Sequence, residues 1–230
     1  MKNLFAFAAF LALLLLVTAC SKPYYQTKNF KKKTKTHTTM AILPAHMLIT
    51  GFQGLDADKK DIIKQQEAES KAFQLSLQSE LLKSTKNGKK AFQVEIQPIN
   101  RTNKMLLESD LTITESWDED PEALAKLLGV DAVLVTRVEK MRYFSDLASY
   151  GIDVALKLIS AITKNILPIL AGKNAKKSND IYSNWNLIEA NSGNVLWSLS
   201  DQREANWNNP ANETIDAMNG YMAKHFPYRR

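Results

Sequence analysis

The only thiol in the chain belongs to Cys20, and the only imidazoles to His37, His46 and His225. A metal site needs such ligands at close, regular spacing, as in HExxH or CxxC, and none of these four residues recurs at that spacing. Nucleophilic hydrolysis needs a serine or cysteine with a base to activate it. Ser145-Asp146 lacks the flanking glycines of a GxSxG turn, and no phosphate-cradling glycine loop occurs. The cluster Asp118, Glu119, Asp120 and Glu122 offers carboxylates for acid–base work. Its place just before an apolar helical face instead suits a helix start, where negative charge meets the positive end of the helix dipole. Trp185, Trp197 and Trp207 could line a glycan groove, or equally fill a strand core and a sheet edge. These residues predict a chain with no catalytic group and no metal, that is, a non-enzyme.

Cys20 differs because of what precedes it. Lys2 and Asn3 open the chain, and Leu4 to Val17 is a run of 14 apolar residues. That length fits the apolar part of an export signal and falls short of the ~20 residues needed to span a bilayer as a helix. Val17-Thr18-Ala19-Cys20 resembles the bacterial lipobox. The resemblance implies cleavage between Ala19 and Cys20, a diacylglycerol thioether on Cys20, and acylation of the new amine. No cofactor beyond these lipids is expected. Multiple acyl chains anchor a protein firmly where a single chain binds reversibly. With no second cysteine an intramolecular disulfide is excluded, so the exported domain must be held by its core.

The chain carries a formal charge of +6 and a pI near 9.2, much of it from one stretch. Residues 21–39, SKPYYQTKNFKKKTKTHTT, hold six lysines, and the first acid in the chain is Asp56. The stretch lacks helical or strand periodicity and reads as a basic tether. Its lysines either rest on anionic lipid headgroups or form a solvated spacer. A nucleic-acid partner is not expected, because the positive charge is concentrated in this segment of an exported chain. Ser21-Lys22-Pro23-Tyr24 lacks the acidic residues that follow the cysteine in surface-export signals. Ser21 in place of aspartate also resembles outer-membrane sorting. The predicted location is the outer membrane, lipid-anchored and facing the periplasm.

Residues 40–230 are long enough for one sizeable core. Met40 to Ile49 reads as a buried strand broken at Pro44. Asp58 to Ser84 reads as a helix whose apolar face includes Ile62, Ile63, Phe73, Leu77, Leu81 and Leu82, with Ala68 or Ala72 between them. Lys86-Asn87-Gly88-Lys89 closes it with a C-cap glycine. Phe92, Val94 and Ile96 alternate with polar residues and predict a strand ending at Pro98. Asp120-Pro121-Glu122 signals a helix start, Ala123, Leu124, Leu127 and Leu128 its apolar face, and Gly129 its end. Asp131 to Val138 is a strand. Tyr182 to Leu187 and Asn194 to Leu199 form a hairpin across a turn-rich link at Gly193. Glu213 to Phe226 is a last helix presenting Ile215, Met218, Met222 and Phe226. The expected fold class is α/β, a single three-layer domain with a mixed β-sheet flanked by helices.

Two segments, LLGVDAVLVTRVEKM (127–141) and NLIEANSGNVLWSLS (186–200), resemble the G-x-D-A-V-L strand and the L-x-D-x-x-T-G-x-x-L-W hairpin of a group of envelope lipoproteins. This CsgG/LpoB-like group includes the curli-secretion channel lipoprotein, an activator of cell-wall synthases, and a family of bacterial lipoproteins of unassigned role. Its shared domain resembles the N-terminal domain of TolB, and the likeness spans residues 40–227. Glu189 and Ser192 depart from the group's Asp and Thr. The resemblance implies a scaffold or regulator of an envelope secretion or assembly complex, acting through protein partners and able to self-associate. An activator of a cell-wall synthase, or a small-ligand or glycan-binding module, are the alternatives. The paired amphipathic hairpins of a membrane pore are missing from the sequence pattern.

Within this domain, residues 146–172 form a helical insert. Asp153, Lys157 and Lys164 recur at helical spacing, leaving Ile152, Leu156, Ile159, Ile162 and Ile166 in a wide apolar remainder. Such a helix packs on its own sheet, meets a partner or second copy, or lies on a bilayer. The five named residues are the candidate interaction surface.

Overall fold

The computed structural model describes residues 23–51, 59–85, 91–142, 177–206 and 211–228. Cys20, Ala19 and the five apolar residues of the insert lie outside them, as does Trp207.

The chain order is β1 (Tyr24–Gln26), α1 (Phe30–Lys33), β2 (Thr39–Ile42), β3 (His46–Gly51), α2 (Lys59–Lys83), β4 (Glu95–Ile96), α3 (Ile99–Glu108), α4 (Pro121–Leu128), β5 (Ala132–Arg142), β6 (Lys177–Glu189), β7 (Val195–Asn206) and α5 (Ala211–His225). The seven strands form one mixed sheet ordered β1-β7-β6-β5-β2-β4, with β3 also paired to β5. β2, β3 and β4 enter through parallel pairings, while β5, β6, β7 and β1 pair antiparallel in succession.

Helices cover both faces, so the domain has three layers. On one face Phe73, Leu77 and Leu81 of α2 and Met218 and Met222 of α5 pack on Met40, Ile42, Leu134, Trp185, Leu187 and Trp197. On the other, Leu106 of α3 and Leu124, Ala125 and Leu128 of α4 pack on Ala41, Leu43 and Val133. The mixed α/β sandwich expected from the sequence is the fold observed.

Several elements agree with their signals for the reasons those signals carry. Asp120 caps α4 by accepting from the Glu122 amide, Pro121 stands at its first position, and Gly129 ends it at φ 64°. The apolar run through Met40 is two strands, β2 and β3, separated around Pro44, and each pairs with β5. Gly193 turns the β6–β7 hairpin at φ 63°.

Other expectations need correction. The stretch expected as a basic tether is folded from Tyr24 onward. β1 pairs with β7, the Thr27 amide donates to the Leu196 carbonyl at 2.9 Å, and Phe30 is buried in the main core. A three-residue strand and a one-turn helix are too short to show periodicity, and they hide between lysines. α3 was not expected. Its buried positions are Ile99, Thr102 and Leu106, and the threonine interrupts the apolar stripe that would have marked it. The strand expected over residues 92–96 shrinks to Glu95–Ile96. In α2, Ile63 and Leu82 are exposed, and Ser70 and Gln74 are buried instead. Gln74 Nε2 donates to the Ile42 carbonyl at 2.7 Å, and its amide pairs reciprocally with Asn103. In α4, Ala123 and Leu127 face outward while Ala125 is buried. β5, β6 and β7 all run longer than their apolar cores suggested.

Candidate functional site

The beginning and the end of the described chain meet at one place, where β5 starts and the β6–β7 turn lies beside it. Asp131, just before β5, organises the junction. Its Oδ2 accepts from the Thr38 amide at 2.7 Å, the Thr38 hydroxyl at 3.0 Å and the Thr39 amide at 2.9 Å. Its own amide donates to the Thr39 carbonyl, and its carbonyl accepts from Ala190. Burial pushes the Asp131 carboxyl up, but these donors, with His37 nearby, outweigh it and hold the group below the usual aspartate value.

His37 sits just upstream, buried, with Nδ1 2.5 Å from the Tyr228 hydroxyl and Nε2 3.8 Å from the Glu189 carboxylate. Desolvation lowers its pKa from 6.5, and the negative charges of Asp131 and Glu189 offset only part of that. Burial raises the Tyr228 phenol far above its usual value, as do Asp131 and Glu189, so it keeps its proton. A phenol that donates to Nδ1 leaves a hydrogen on Nε2 pointing at Glu189, and this neutral tautomer suits both neighbours. The Tyr228 ring also packs against Phe30 and Phe226, with centroids 5.6 and 5.7 Å away.

An imidazole between a phenol and a carboxylate can relay protons where substrate reaches it. Here Tyr228 is 0% exposed and His37 7%, so the hydroxyl–imidazole contact is buried rather than open to a cleft. The constellation is a latch. It fastens the segment after α1 and the tail after α5 to the mouth of the central strand.

The segment held by the latch has a strongly charged outer side. Lys28, Lys31, Lys32, Lys33 and Lys35 are all exposed, whereas Phe30 and Thr34 between them are buried. None of the five lysines forms an ion pair with a described residue. Tyr25 on β1, the edge strand of the sheet, is 56% exposed beside them in sequence.

The remaining candidates resolve into packing. His46 stacks on Trp117 with centroids 4.9 Å apart, and burial together with Arg137 lowers its pKa despite Asp118. His225 packs against Tyr221 and Tyr24. The three histidines therefore occupy separate environments, and among the described residues no cluster of His, Cys, Asp or Glu has metal-binding geometry. Trp185 and Trp197 are 0% exposed, which overturns their assignment to a glycan groove. Of the acidic cluster, Asp120 caps α4 and Glu122 in its first turn pairs with Lys126. A 620 Å3 groove between α2 and α5 is lined by Glu80, Lys83, Arg203, Asp216, Tyr221 and Lys224. Its charges are partly committed to one another or to neighbours: Lys83 to Glu80 at 2.6 Å, Asp216 to Ser76, Arg203 to Asp201. No helix among the described residues is long and apolar enough to cross a membrane.

The latch was not visible in the sequence, where His37 fell in the supposed tether and Tyr228 in the tail. One signal did point to it: Asp131 is a carboxylate placed at the entrance of the apolar run Ala132–Val135 that opens β5.

No protein-family model and no curated protein match the chain. Among solved structures, it is similar to lipoprotein GNA1162 from Neisseria meningitidis, at 13% identity and TM-score 0.41, covering 82% of this chain and 96% of that one. It is similar to the PelC dodecamer from Paraburkholderia phytofirmans, at 14% identity and TM-score 0.39, covering 81% and 86%. It is also similar to the LpoB C-terminal domain from Salmonella enterica, at 9% identity and TM-score 0.33, covering 76% and 91%.

Proposed function

We propose that this chain is a non-enzymatic, acylated lipoprotein of the cell envelope that scaffolds or regulates a secretion or assembly complex through protein–protein contacts. The carrying observation is the junction of Cys20 with the fold. A sole cysteine closes an apolar export signal, and four residues later Tyr24 is already part of the sheet. A domain begun so close to an acylated residue works at a membrane surface, through its own exterior. The burial of the His37–Tyr228 contact supports a structural role for the polar group best suited to chemistry. Exposed apolar side chains such as Leu107 on α3 and Leu75 on α2 offer contact points for a partner.

Metabolic labelling with a radioactive fatty acid tests the anchor. Label should enter the chain and be lost in Cys20→Ser, and equal labelling of both would end the lipoprotein reading. Crosslinking in intact envelopes followed by purification tests the scaffold. A stoichiometric secretion or assembly component, lost in Leu156→Asp or Ile159→Asp, is expected. Recovery of a cell-wall synthase would instead favour the activator role, and a chain that crosslinks to nothing would refute both.

A further inference from the structure

We propose that the face made by β1 and α1 is a docking surface for an anionic bilayer, which sets the orientation of the whole domain on the membrane. The inference rests on acylation of Cys20 and goes beyond it, because an anchor alone leaves a domain free to tumble at the end of its tether.

The anchor is short. A chain spans at most ~3.5 Å per residue, so the four steps from Cys20 to Tyr24 keep these two α-carbons within about 14 Å. The 19-residue stretch 21–39, taken as a free linker, would have let the domain stand well clear of the lipid. With β1 paired along its length to β7, that freedom is gone. β1 is an edge strand, so the acylated end leaves the fold at a rim of the sheet.

The segment that follows β1 is strongly basic. Past the rim come the five exposed lysines at 28, 31, 32, 33 and 35, with no acid before Asp56. The local fold sorts this segment into two sides. Phe30 and Thr34 turn inward, where the Thr34 hydroxyl donates to the Phe30 carbonyl at 3.0 Å, and every lysine is left outside. Asn29, in the left-handed region at φ 62°, stands at the start of α1, and the Phe30 amide donates to the Thr27 carbonyl at 3.3 Å just after β1. Ammonium groups attract anionic headgroups only within about a Debye length, ~8 Å at physiological salt. The short anchor brings the patch toward that range.

The patch is not a loose arm, because the Asp131 hydrogen bonds and the His37–Tyr228 contact fix its far end to the core. A bilayer that meets these lysines therefore orients the sheet and both helical layers.

The test uses the intact chain reconstituted into vesicles of phosphatidylcholine, alone or with about one third phosphatidylglycerol. Each lysine's rate of acylation by a water-soluble amine reagent is read by mass spectrometry. Lys28, Lys31, Lys32, Lys33 and Lys35 should label several-fold more slowly in the anionic vesicles, relative to Lys59, Lys64 and Lys71 on α2. The protection should vanish in high salt. Equal rates in both vesicles would overturn the docking face. The mass of the N-terminal peptide reads the anchor separately. If Cys20 proves unmodified, the same chain is mixed with preformed anionic vesicles and floated. Salt-sensitive co-flotation sustains the face without the anchor, and a chain left at the bottom refutes it.

Discussion

Replacing Tyr228 by phenylalanine removes one oxygen atom and leaves the ring that packs on Phe30 and Phe226 in place. The lost hydroxyl lies 2.5 Å from His37 Nδ1, and with His37 only 7% exposed, water cannot readily take its place. An unpaired buried acceptor costs ~1–3 kcal/mol, so Tyr228→Phe should destabilise the fold by ~2 kcal/mol. For a domain of this size that is a fall in melting temperature of about 4–8 °C. Urea unfolding followed by tryptophan emission is a suitable assay, because Trp185 and Trp197 lie wholly inside the core. His37→Leu should cost a similar amount by leaving the phenol unpaired. The double variant removes donor and acceptor together, so its cost should fall clearly below the sum of the two. Hydrogen exchange supplies the local readout, with amides of β1 and α1 opening faster in Tyr228→Phe than those of α3. A change of less than ~0.5 kcal/mol, or strict additivity of the two substitutions, would refute the latch.

Phe30→Ala should cost ~3–4 kcal/mol and expose the segment to protease, whereas a free tether would lose almost nothing; unfolding curves and a timed digest decide between them. Acid should weaken the fold through His37 and His46, both of whose pKa values are lowered in the folded state. The unfolded chain binds these protons first, so stability is complete above pH 6.5 and declines as the pH falls through the folded values. Denaturant midpoints measured from pH 8 to 5 should show that decline, with a smaller slope in His37→Leu. Gly129→Ala meets open space, so only its φ of 64° opposes it, at about 1 kcal/mol. Gly193→Ala adds a contact of 2.8 Å with the Glu122 carboxylate, which flexes aside, so its measured loss should be equal or modestly larger.

The elements legible in sequence are those whose information is local. The cap at Asp120, the proline at 121 and the αL glycines at 129 and 193 act through their own backbone, and each stands where its chemistry required. The apolar face of α5 meets the core where its periodicity put it, whereas the longer face of α2 could be found but not fully aimed. In α2 the buried set shifts toward Ser70 and Gln74, because Gln74 pairs with Asn103 and the Ile42 carbonyl from other elements. A glutamine is polar in any sequence count and becomes core only when its partners arrive.

By itself, the sequence determined the α/β alternation and both ends of α4, set by propensity, periodicity and residue chemistry over a few neighbours. Tertiary structure alone decided that the lysine-rich stretch belongs to the domain. β1 exists because β7 has an unpaired edge, α1 because Phe30 finds a gap beside Tyr228, and the latch because Asp131, Glu189 and Tyr228 converge on residues 37–39. Those contacts span up to 191 positions, and short-range patterns hold no trace of a hydrogen bond closed over that distance.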